Sequence, residues 1–238
     1  WELNTIIGVL RLAIKKHRLA VVIEAPSLPK HKAKSRQVLP KDQQVELVNK
    51  ILNDLVPPAD GVALLLHLQG GVIASECQRL KTASVALGAK VPHIVIESDT
   101  KTTARKRVVP ITVGVRWLRK ALAELEDSSG LAFGARWTGL TESAISSRLI
   151  QLLPKGIMPY GLRHTFRANA IASAAGDNAA LIGGWSSANG ISPIMFKYGQ
   201  EGLSDMEVLK GLEATSKQIN SHLVELDSQH LKLVTDNK

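Results

Sequence analysis

Apolar side chains recur every three or four residues along most of the chain, which is the spacing of amphipathic helices. The last of these segments opens with Ser204 and Glu207, which match the capping-box pattern S-x-x-E. The predicted helices cover residues 3–20, 41–55, 59–69, 113–125, 141–153, 160–175 and 204–228. The pattern therefore predicts a mainly helical chain.

Residues 82–111 break the helical pattern. β-Branched residues cluster there in three short runs, "TASVAL", "HIVIE" and "RVVPI", which are separated by "GAK" and by the polar segment "SDTKTTARK". Runs of this composition between polar turns are typical of strands. The sequence thus predicts the α+β class, a mainly α-helical fold with a small three-stranded antiparallel sheet.

A linker is predicted over residues 26–40, because "PSLPKHKAKSRQVLP" is rich in proline and cations and has no periodicity. It divides the chain into residues 1–25 and a domain over residues 41–238. The first segment starts in what looks like the middle of a helix. We therefore expect residues 1–25 to be the last helix of a truncated N-terminal domain.

The charge balance indicates a polyanionic partner. The chain has 30 lysines and arginines against 21 acidic residues, a net charge of +9 and a pI near 9.7. The first 40 residues hold eight of the cations against two acids. Such a surplus favours nucleic acid or an anionic membrane surface as the partner. A membrane is disfavoured, because the apolar run "TIIGVLRLAI" is short and leads directly into "KKHR".

Common catalytic motifs are missing from the sequence. There is no phosphate-binding loop, no G-x-G-x-x-G, no H-E-x-x-H and no G-x-S-x-G elbow. Cys77 is the only cysteine, which excludes internal disulfides and cysteine-rich metal sites and fits a reducing cytosol. Neither a metal nor another cofactor is expected.

An ordered series of four residues carries the candidate chemistry: Lys101, Arg163, Trp185 and Tyr198. They lie in the predicted turn of the sheet, in "YGLRHTF", after the glycine pair of "IGGWSS", and in "FKYGQ". The chain here resembles the tyrosine recombinase, or phage integrase, family. That family's pattern runs G-x-R-x-x-E, a lysine in a β-hairpin, H-x-x-R-H-T, L-x-G-[HW] and a nucleophilic tyrosine. The match covers about residues 36–215, in the right order and with similar spacings.

The resemblance implies a DNA strand-transfer reaction. The hydroxyl of Tyr198 would attack a DNA phosphate and leave a 3′-phosphotyrosine link and a free 5′-hydroxyl. Arg163 would bind the phosphate, since its guanidinium is a planar fork that stays charged. Lys101 would give its proton to the departing 5′ oxygen. Because the phosphodiester energy is conserved, no ATP site is needed, which agrees with the absence of a phosphate-binding loop.

Trp185 and Tyr160 are the remaining catalytic candidates. In the place of Trp185 the family uses His or Trp, whose ring nitrogen donates to a phosphate oxygen. Tyr160 occupies the place where the family most often has histidine, and it can donate a hydrogen bond but cannot be a base at neutral pH. We interpret His164 as a buried structural hydrogen-bonding residue behind Arg163.

Each candidate also has a purely structural interpretation. Core packing is the alternative for Tyr198 and Trp185, and an ion pair at a helix end is the alternative for Arg163. Lys101 shares its loop with three other cations, and a cationic loop is usually only a solvated face. The three cations are Arg105, Lys106 and Arg107.

The chain departs from the family pattern at the first arginine. Aligning G-x-R-x-x-E on Gly71 and Glu76 puts Ile73 where that arginine belongs. Loss of one preorganised donor from such a site typically costs about 10²- to 10³-fold in rate. Three explanations stay open: a decayed or engineered recombinase, an active variant with an arginine from Arg79, Arg105 or a neighbouring subunit, or a DNA-binding module without catalysis. On its own helix, Arg79 should face elsewhere.

The resemblance also implies partners and a setting. Residues 1–25 would end the family's core-binding domain, and residues 41–238 would form its catalytic domain. The partner would be double-stranded DNA, bound by a homotetramer in which the final helix, about 204–228, packs onto a neighbour. No membrane and no small-molecule substrate is implied. The expected setting is integration or excision of a mobile element, such as a phage, in the bacterial cytoplasm; a helical protein unrelated to DNA is the remaining alternative.

Overall fold

A computed structural model describes residues 2–17, 37–97, 106–137, 139–185 and 206–236. The helices are α1 (Glu2–His17), α2 (Lys41–Leu52), α3 (Pro58–Gly70), α4 (Ala74–Gln78), α5 (Val115–Leu125), α6 (Gly134–Trp137), α7 (Glu142–Gln151), α8 (Pro159–Ala172), α9 (Gly176–Gly183), α10 (Met206–Ile219) and α11 (Ser221–Asp236). The strands are β1 (Val85–Ala86), β2 (His93–Ile96) and β3 (Arg107–Pro110). The predicted class, mainly helical with one small sheet, is confirmed.

The chain divides into two compact units, residues 1–35 and residues 36–238. In the first unit α1 carries Lys15, Lys16 and His17 in its last turn, where cations interact favourably with the helix dipole. Most of the predicted linker, residues 26–36, lies outside the described residues.

Helix α3 forms the centre of the second unit. Twelve of its thirteen residues are buried, and α5 and α8 pack against it. It starts at Pro58, where the missing proline N–H costs no helical bond, and it ends at Gly71 in the left-handed conformation. The helix predicted over residues 59–69 is confirmed.

The three strands form one antiparallel sheet in the order β1-β2-β3. Val85 pairs with Ile94 between the first two strands, and Ile96 pairs with Arg107 at the end of the second ladder. The segment 98–105 joins that end of β2 to β3, and it lies outside the described residues. The predicted three-stranded sheet is confirmed.

Two details of the helices differ from the pattern. Helix α2 ends at Leu52, because Asp54 turns the chain with φ 57°, so Leu55 is 72% exposed instead of lying on the apolar face. The single final helix predicted over 204–228 is two helices, α10 and α11. Ser204, the first residue of the capping-box pattern, lies outside the described residues.

The C-terminal helices pack into the core of their own chain. Leu212, Ile219 and Leu223 are buried in the main hydrophobic cluster. Between the two helices, the Asn220 amide donates to the carbonyl of Gln69 at 3.0 Å. One apolar side of each C-terminal helix is therefore buried within the chain itself. Packing of the final helix onto a neighbour stays a prediction.

Candidate active site

Arg163 lies in the first half of α8 and is 94% buried. Its guanidinium donates to the carbonyl oxygen of Gly71 and, at 3.4 Å, to the carbonyl oxygen of Gly184. It therefore joins the turn after α3 to the end of α9. A buried charged group is tolerated where such acceptors surround it.

The side chains of Phe166 and Arg163 lie so close to the backbone of Gly71 that this position requires glycine. Its φ is +62°, and a Cβ at this position would lie 3.1 Å from the ring of Phe166 and 3.6 Å from Cγ of Arg163. A side chain would have both backbone strain and crowding to overcome. The glycine that opens the G-x-R-x-x-E pattern thus shapes the wall behind Arg163.

Ile73 and Glu76 lie at the N-terminus of α4, Ile73 as the residue before the helix and Glu76 within it. The Ile73 N–H donates to Oε2 of Glu76 at 3.0 Å, so the carboxylate closes the N-terminus of the short helix. Ile73 lies immediately before α4 and is partly exposed, and its side chain offers no hydrogen-bond donor. Arg79 lies at the other end of α4 and is exposed.

Arg107 is the partner of Glu76. Its Nη1 and Nη2 donate to the two carboxylate oxygens at 2.9 Å each, and its Nε donates to the carbonyl oxygen of Ile182 at 2.8 Å. The Arg107 side chain is only 2% exposed. The structural alternative of a solvated cationic loop does not hold for Arg107, because its side chain, on β3, turns inward to a buried carboxylate.

Charges in this cluster fix the protonation of its members. Burial raises the pKa of Glu76, but the hydrogen bonds and charge of Arg107 and the charge of Arg163 outweigh burial and leave the pKa lowered. Burial lowers the pKa of His67 to about 4. Since His67 Nδ1 lies 2.7 Å from the carbonyl oxygen of Ala63, Nδ1 carries the proton of a neutral ring.

His67, not His164, is the buried hydrogen-bonding histidine near Arg163. His164 is only partly buried, and its ring lies edge-on to Tyr160 with 5.1 Å between centroids. His67 is fully buried, hydrogen-bonded and close enough to sense the charges of Glu76 and Arg163. The interpretation of His164 as a buried residue is therefore wrong. The sequence signal for His67 was a lone histidine directly after the apolar run over residues 62–66.

Trp185 follows α9 and lies beside Arg163's helix. Its ring is partly buried, 5.7 Å from the Phe166 ring, and the guanidinium carbon of Arg167 is 5.6 Å from its centroid. A Cβ on Gly183 would lie 2.7 Å from the indole, so this glycine makes room for the ring. Tyr160 is 49% exposed at the start of α8, so its hydroxyl end is accessible to solvent.

Lys101 and Tyr198 lie outside the described residues, and so does Arg105. Lys101 belongs to the segment between β2 and β3, and Tyr198 belongs to the segment between α9 and α10. Among the five described ranges, no group of three metal-ligating side chains comes together. In the same ranges no helix combines the length and apolarity needed to cross a membrane.

The structure resembles solved DNA recombination proteins. The Tn1549 transposon integrase in complex with transposon right end DNA superposes with a TM-score of 0.55 at 16% identity, over 85% of this chain and 78% of that one. The same integrase in complex with a circular intermediate DNA gives 0.52 at 16% identity over the same shares. XerA recombinase gives 0.44 at 19% identity, over 94% of this chain and 73% of the other.

The sequence itself matches no protein-family model and no curated protein. The likeness is therefore one of structure, and it extends over more than four fifths of the chain. The mainly helical unit, its three-stranded sheet and the order of its elements agree with the fold that the motifs implied. The chain has the catalytic-domain fold of the tyrosine recombinases.

Proposed function

We propose that this chain is a site-specific DNA recombinase or integrase that cleaves and rejoins DNA through a 3′-phosphotyrosine intermediate. The observation that carries the proposal is the position of Arg163, whose buried guanidinium joins Gly71 to Gly184. These two turns belong to the glycine-led and L-x-G-W motifs of the recombinase pattern. The fold of the chain agrees with this chemistry but does not establish it.

Four further residues complete the proposed site. The hydroxyl of Tyr198 attacks the phosphorus, and Lys101 gives a proton to the departing 5′ oxygen. Trp185 and Tyr160 donate hydrogen bonds to the phosphate oxygens. The bond between Tyr198 and phosphorus replaces the bond to the 5′ oxygen, so the reaction is reversible and needs no nucleotide or metal.

Ile73 is expected to slow this reaction. It lies at the start of α4, three residues before the Glu76 carboxylate, where the pattern places an arginine. An isoleucine supplies no charge to the phosphate, and the missing donor is worth about 10²- to 10³-fold in rate. Arg107 is no substitute, since three of its donors bind Glu76 and Ile182 inside the core.

Double-stranded DNA is the proposed partner. The net charge of +9 supports a polyanion, and the basic part of the linker, residues 27–36, would follow the DNA backbone. The two Tn1549 integrase structures are complexes with DNA. We further propose that the active form is a homotetramer on two duplexes, in the service of a mobile element. In this tetramer the C-terminal helices, which include the predicted final helix over about 204–228, pack onto a neighbouring subunit through side chains that the chain's own core leaves exposed.

A DNA-binding module without catalysis is the second candidate. One observation favours it: Ile73 stands where the recombinase pattern has a phosphate-binding arginine. In this case the fold would bind DNA with affinity that falls steeply with salt but would form no covalent adduct.

A suicide-substrate assay separates the two. A duplex with high affinity is first selected from random-sequence DNA, nicked near its centre, and incubated with the protein, with Tyr198→Phe and with Ile73→Arg. A covalent adduct on a denaturing gel that disappears in Tyr198→Phe supports the recombinase. If the adduct appears only with Ile73→Arg, the unsubstituted chain is a disabled recombinase. Binding without adduct from either protein supports the binding module.

A further inference from the structure

Helix α8 contacts the turn after α9 through three of its side chains. Arg163 donates to the carbonyl oxygen of Gly184 at 3.4 Å. Phe166 and Arg167 lie against the indole of the next residue, Trp185. The centroid of its ring is 5.7 Å from the Phe166 centroid and 5.6 Å from the guanidinium carbon of Arg167. The helix that carries the proposed phosphate-binding arginine therefore also bounds the proposed phosphate-binding indole.

The end of α9 fixes the backbone of Trp185. Gly184 adopts the left-handed conformation with φ 62°, and the Trp185 N–H donates to the carbonyl oxygen of Ala180 at 3.1 Å, as in a Schellman cap. These backbone bonds do not determine the side-chain torsions of Trp185. The orientation of its ring therefore depends on the side chains that lie against it.

The indole is the described partner of the Arg167 guanidinium. Within the described ranges this guanidinium forms no hydrogen bond and no ion pair, although Asp177 lines the same hollow between α8 and α9. A guanidinium within about 6 Å of a tryptophan centroid is attracted to the ring, and the attraction grows where water is partly excluded. Arg167 and Trp185 are both partly buried. The contact therefore favours one orientation of the ring.

We propose that Arg167 is a positioning residue for strand cleavage: its guanidinium holds the Trp185 ring in the orientation in which the indole N–H donates to a non-bridging oxygen of the cleaved phosphate. This inference rests on the proposed function. The family pattern H-x-x-R-H-T ends at Thr165, two residues before Arg167, so the motif assigns no role to this arginine.

A direct contact between Arg167 and a DNA phosphate would have a different signature. Neutralising one phosphate contributes to DNA affinity, and its loss reduces the salt slope of binding by about 1. A residue that acts through Trp185 instead leaves the salt slope unchanged. Its effect on the rate also disappears once the indole N–H has been removed.

The test uses three substitutions in the contact and one matched control. Arg167→Met keeps an unbranched apolar chain but removes the cation, and Arg167→Lys keeps a cation. Trp185→Phe keeps an aromatic ring but removes the N–H. The control is Ile171→Ala, because Ile171 lies on the same helix, lines the same hollow and is 72% exposed.

Single-turnover adduct formation is measured at saturating DNA on the selected nicked duplex. The phosphate at the cleavage position carries either its two non-bridging oxygens or one sulfur, in each of the two stereoisomers. Every variant is made in the unsubstituted chain and with Ile73→Arg. Thermal unfolding and DNA affinity at several salt concentrations are recorded for each.

We expect Trp185→Phe to lose about 10²-fold in cleavage, as for loss of one preorganised donor. Arg167→Met should lose about 10-fold, the change in population that a partly desolvated cation–π contact supports. Arg167→Lys should lose less, and Ile171→Ala should cleave at the unsubstituted rate. Arg167→Met should cause no further loss when it is added to Trp185→Phe.

The sulfur substrates report the hydrogen bond itself, because sulfur is a poorer acceptor than oxygen. The unsubstituted protein should cleave one stereoisomer more slowly than the other, since the indole N–H reaches only one non-bridging position. Arg167→Met should reduce this difference, and Trp185→Phe should reduce it further. A general defect of the fold would slow both stereoisomers equally.

Fluorine NMR follows the ring without any cleavage. The protein is labelled with 5-fluorotryptophan, and Trp185→Phe identifies the Trp185 resonance among those of the four tryptophans. Arg167→Met should shift and broaden this resonance, because the ring then samples more orientations. Ile171→Ala should leave all four resonances in place.

Three outcomes overturn the inference alone: an unchanged Trp185 resonance in Arg167→Met, cleavage by Arg167→Met as fast as by Ile171→Ala, or an undiminished loss when Arg167→Met is added to Trp185→Phe. A salt slope reduced by about 1 in Arg167→Met also overturns it, since the arginine would then bind the DNA backbone directly. Absence of any Tyr198-dependent adduct, with or without Ile73→Arg, instead overturns the proposed function, and this inference with it.

Discussion

Two buried carboxylates in the same core, Glu76 and Asp60, are stabilised in different ways. Glu76 has an arginine that is itself buried, and each of its oxygens accepts at least one hydrogen bond. Asp60 has Arg148, whose side chain is 44% exposed, and its Oδ1 has no hydrogen-bond partner among the described residues. The first pair joins segments from three parts of the chain, whereas the second joins two helices.

This difference between Glu76 and Asp60 indicates which buried carboxylate depends more on its arginine partner. Removing one member of a pair in which both charges are buried leaves the other without compensation, whereas water can solvate Arg148 if Asp60 loses its charge, because the Arg148 side chain is 44% exposed. Only the Glu76 pair lies beside the proposed site. We therefore expect substitutions at the two carboxylates to separate clearly.

The largest effect is expected from breaking the Glu76 pair. Arg107→Ala leaves an unpaired carboxylate in the core and should lower the free energy of unfolding by about 3–5 kcal/mol. Urea denaturation at neutral pH measures this loss. The double variant Arg107→Met with Glu76→Leu should be more stable than Arg107→Ala, since no charge then remains buried. A loss below about 1 kcal/mol in Arg107→Ala would contradict this picture of the pair.

Lowering the pH should reduce the free energy of unfolding through two buried groups near the proposed site, His67 and Glu76. His67 has a folded pKa of about 4 against 6.5 unfolded, so the unfolded chain binds the extra proton first and stability falls as pH drops from 6.5 to 4. The contribution is about 3 kcal/mol across that window. Glu76, whose folded pKa lies below 4.5, adds a further loss below about pH 4.5 as its carboxylate is protonated.

His67→Leu separates the two titrations. The variant should lack most of the loss between pH 6.5 and 4 and keep the loss below it, as followed by urea denaturation at a series of pH values. His222, whose pKa is also lowered by burial, leaves a smaller residual slope in the upper window. An unchanged pH profile in His67→Leu would show that another group causes the loss.

A smaller effect is expected at Asp60. Asp60→Asn removes one charge from a pair whose arginine is largely hydrated, so the free energy of unfolding should fall by about 1 kcal/mol. Thermal and urea unfolding both measure it. A loss as large as that of Arg107→Ala would mean that the two carboxylates do not differ in the way their contacts indicate.

The smallest change in the free energy of unfolding is expected from removing an exposed ion pair. Lys50 and Glu46 form an i,i+4 pair in α2 with a 2.6 Å contact, and both side chains are more than half exposed. Lys50→Ala should change the free energy of unfolding by about 0.5 kcal/mol or less. This variant sets the scale against which the buried pairs are compared.

The sequence predicted what depends on local pattern. The helical spacing, the β-branched runs and the apolar segment "GVALLLHLQ" gave the helices, the sheet and the buried α3. Arg163 was identified from its motif, and the structure buries it between two glycine turns. In these cases the information lies within a few residues or in an order of motifs.

Partners that are distant in sequence could not be predicted. Arg107 and Glu76 are 31 residues apart, and nothing in "TARKRVVP" shows which cation points inward. His67 was overlooked in favour of His164 because a histidine beside the arginine attracts attention, whereas burial depends on how α3 is enclosed. The helix predicted over residues 41–55 ends earlier, at Leu52, because Asp54 adopts the left-handed conformation.

The C-terminal helices have a consequence for how the protein is made. Asp227 in α11 accepts a hydrogen bond from the N–H of Gly114, 113 residues earlier, at 2.9 Å, and Leu223 fills the central core. A chain that emerges from the ribosome in order therefore cannot close this core until nearly all of the domain has been synthesised. Until then the apolar side of α2 and α3 is exposed to solvent. We therefore expect nascent chains of this protein to require binding by chaperones during translation.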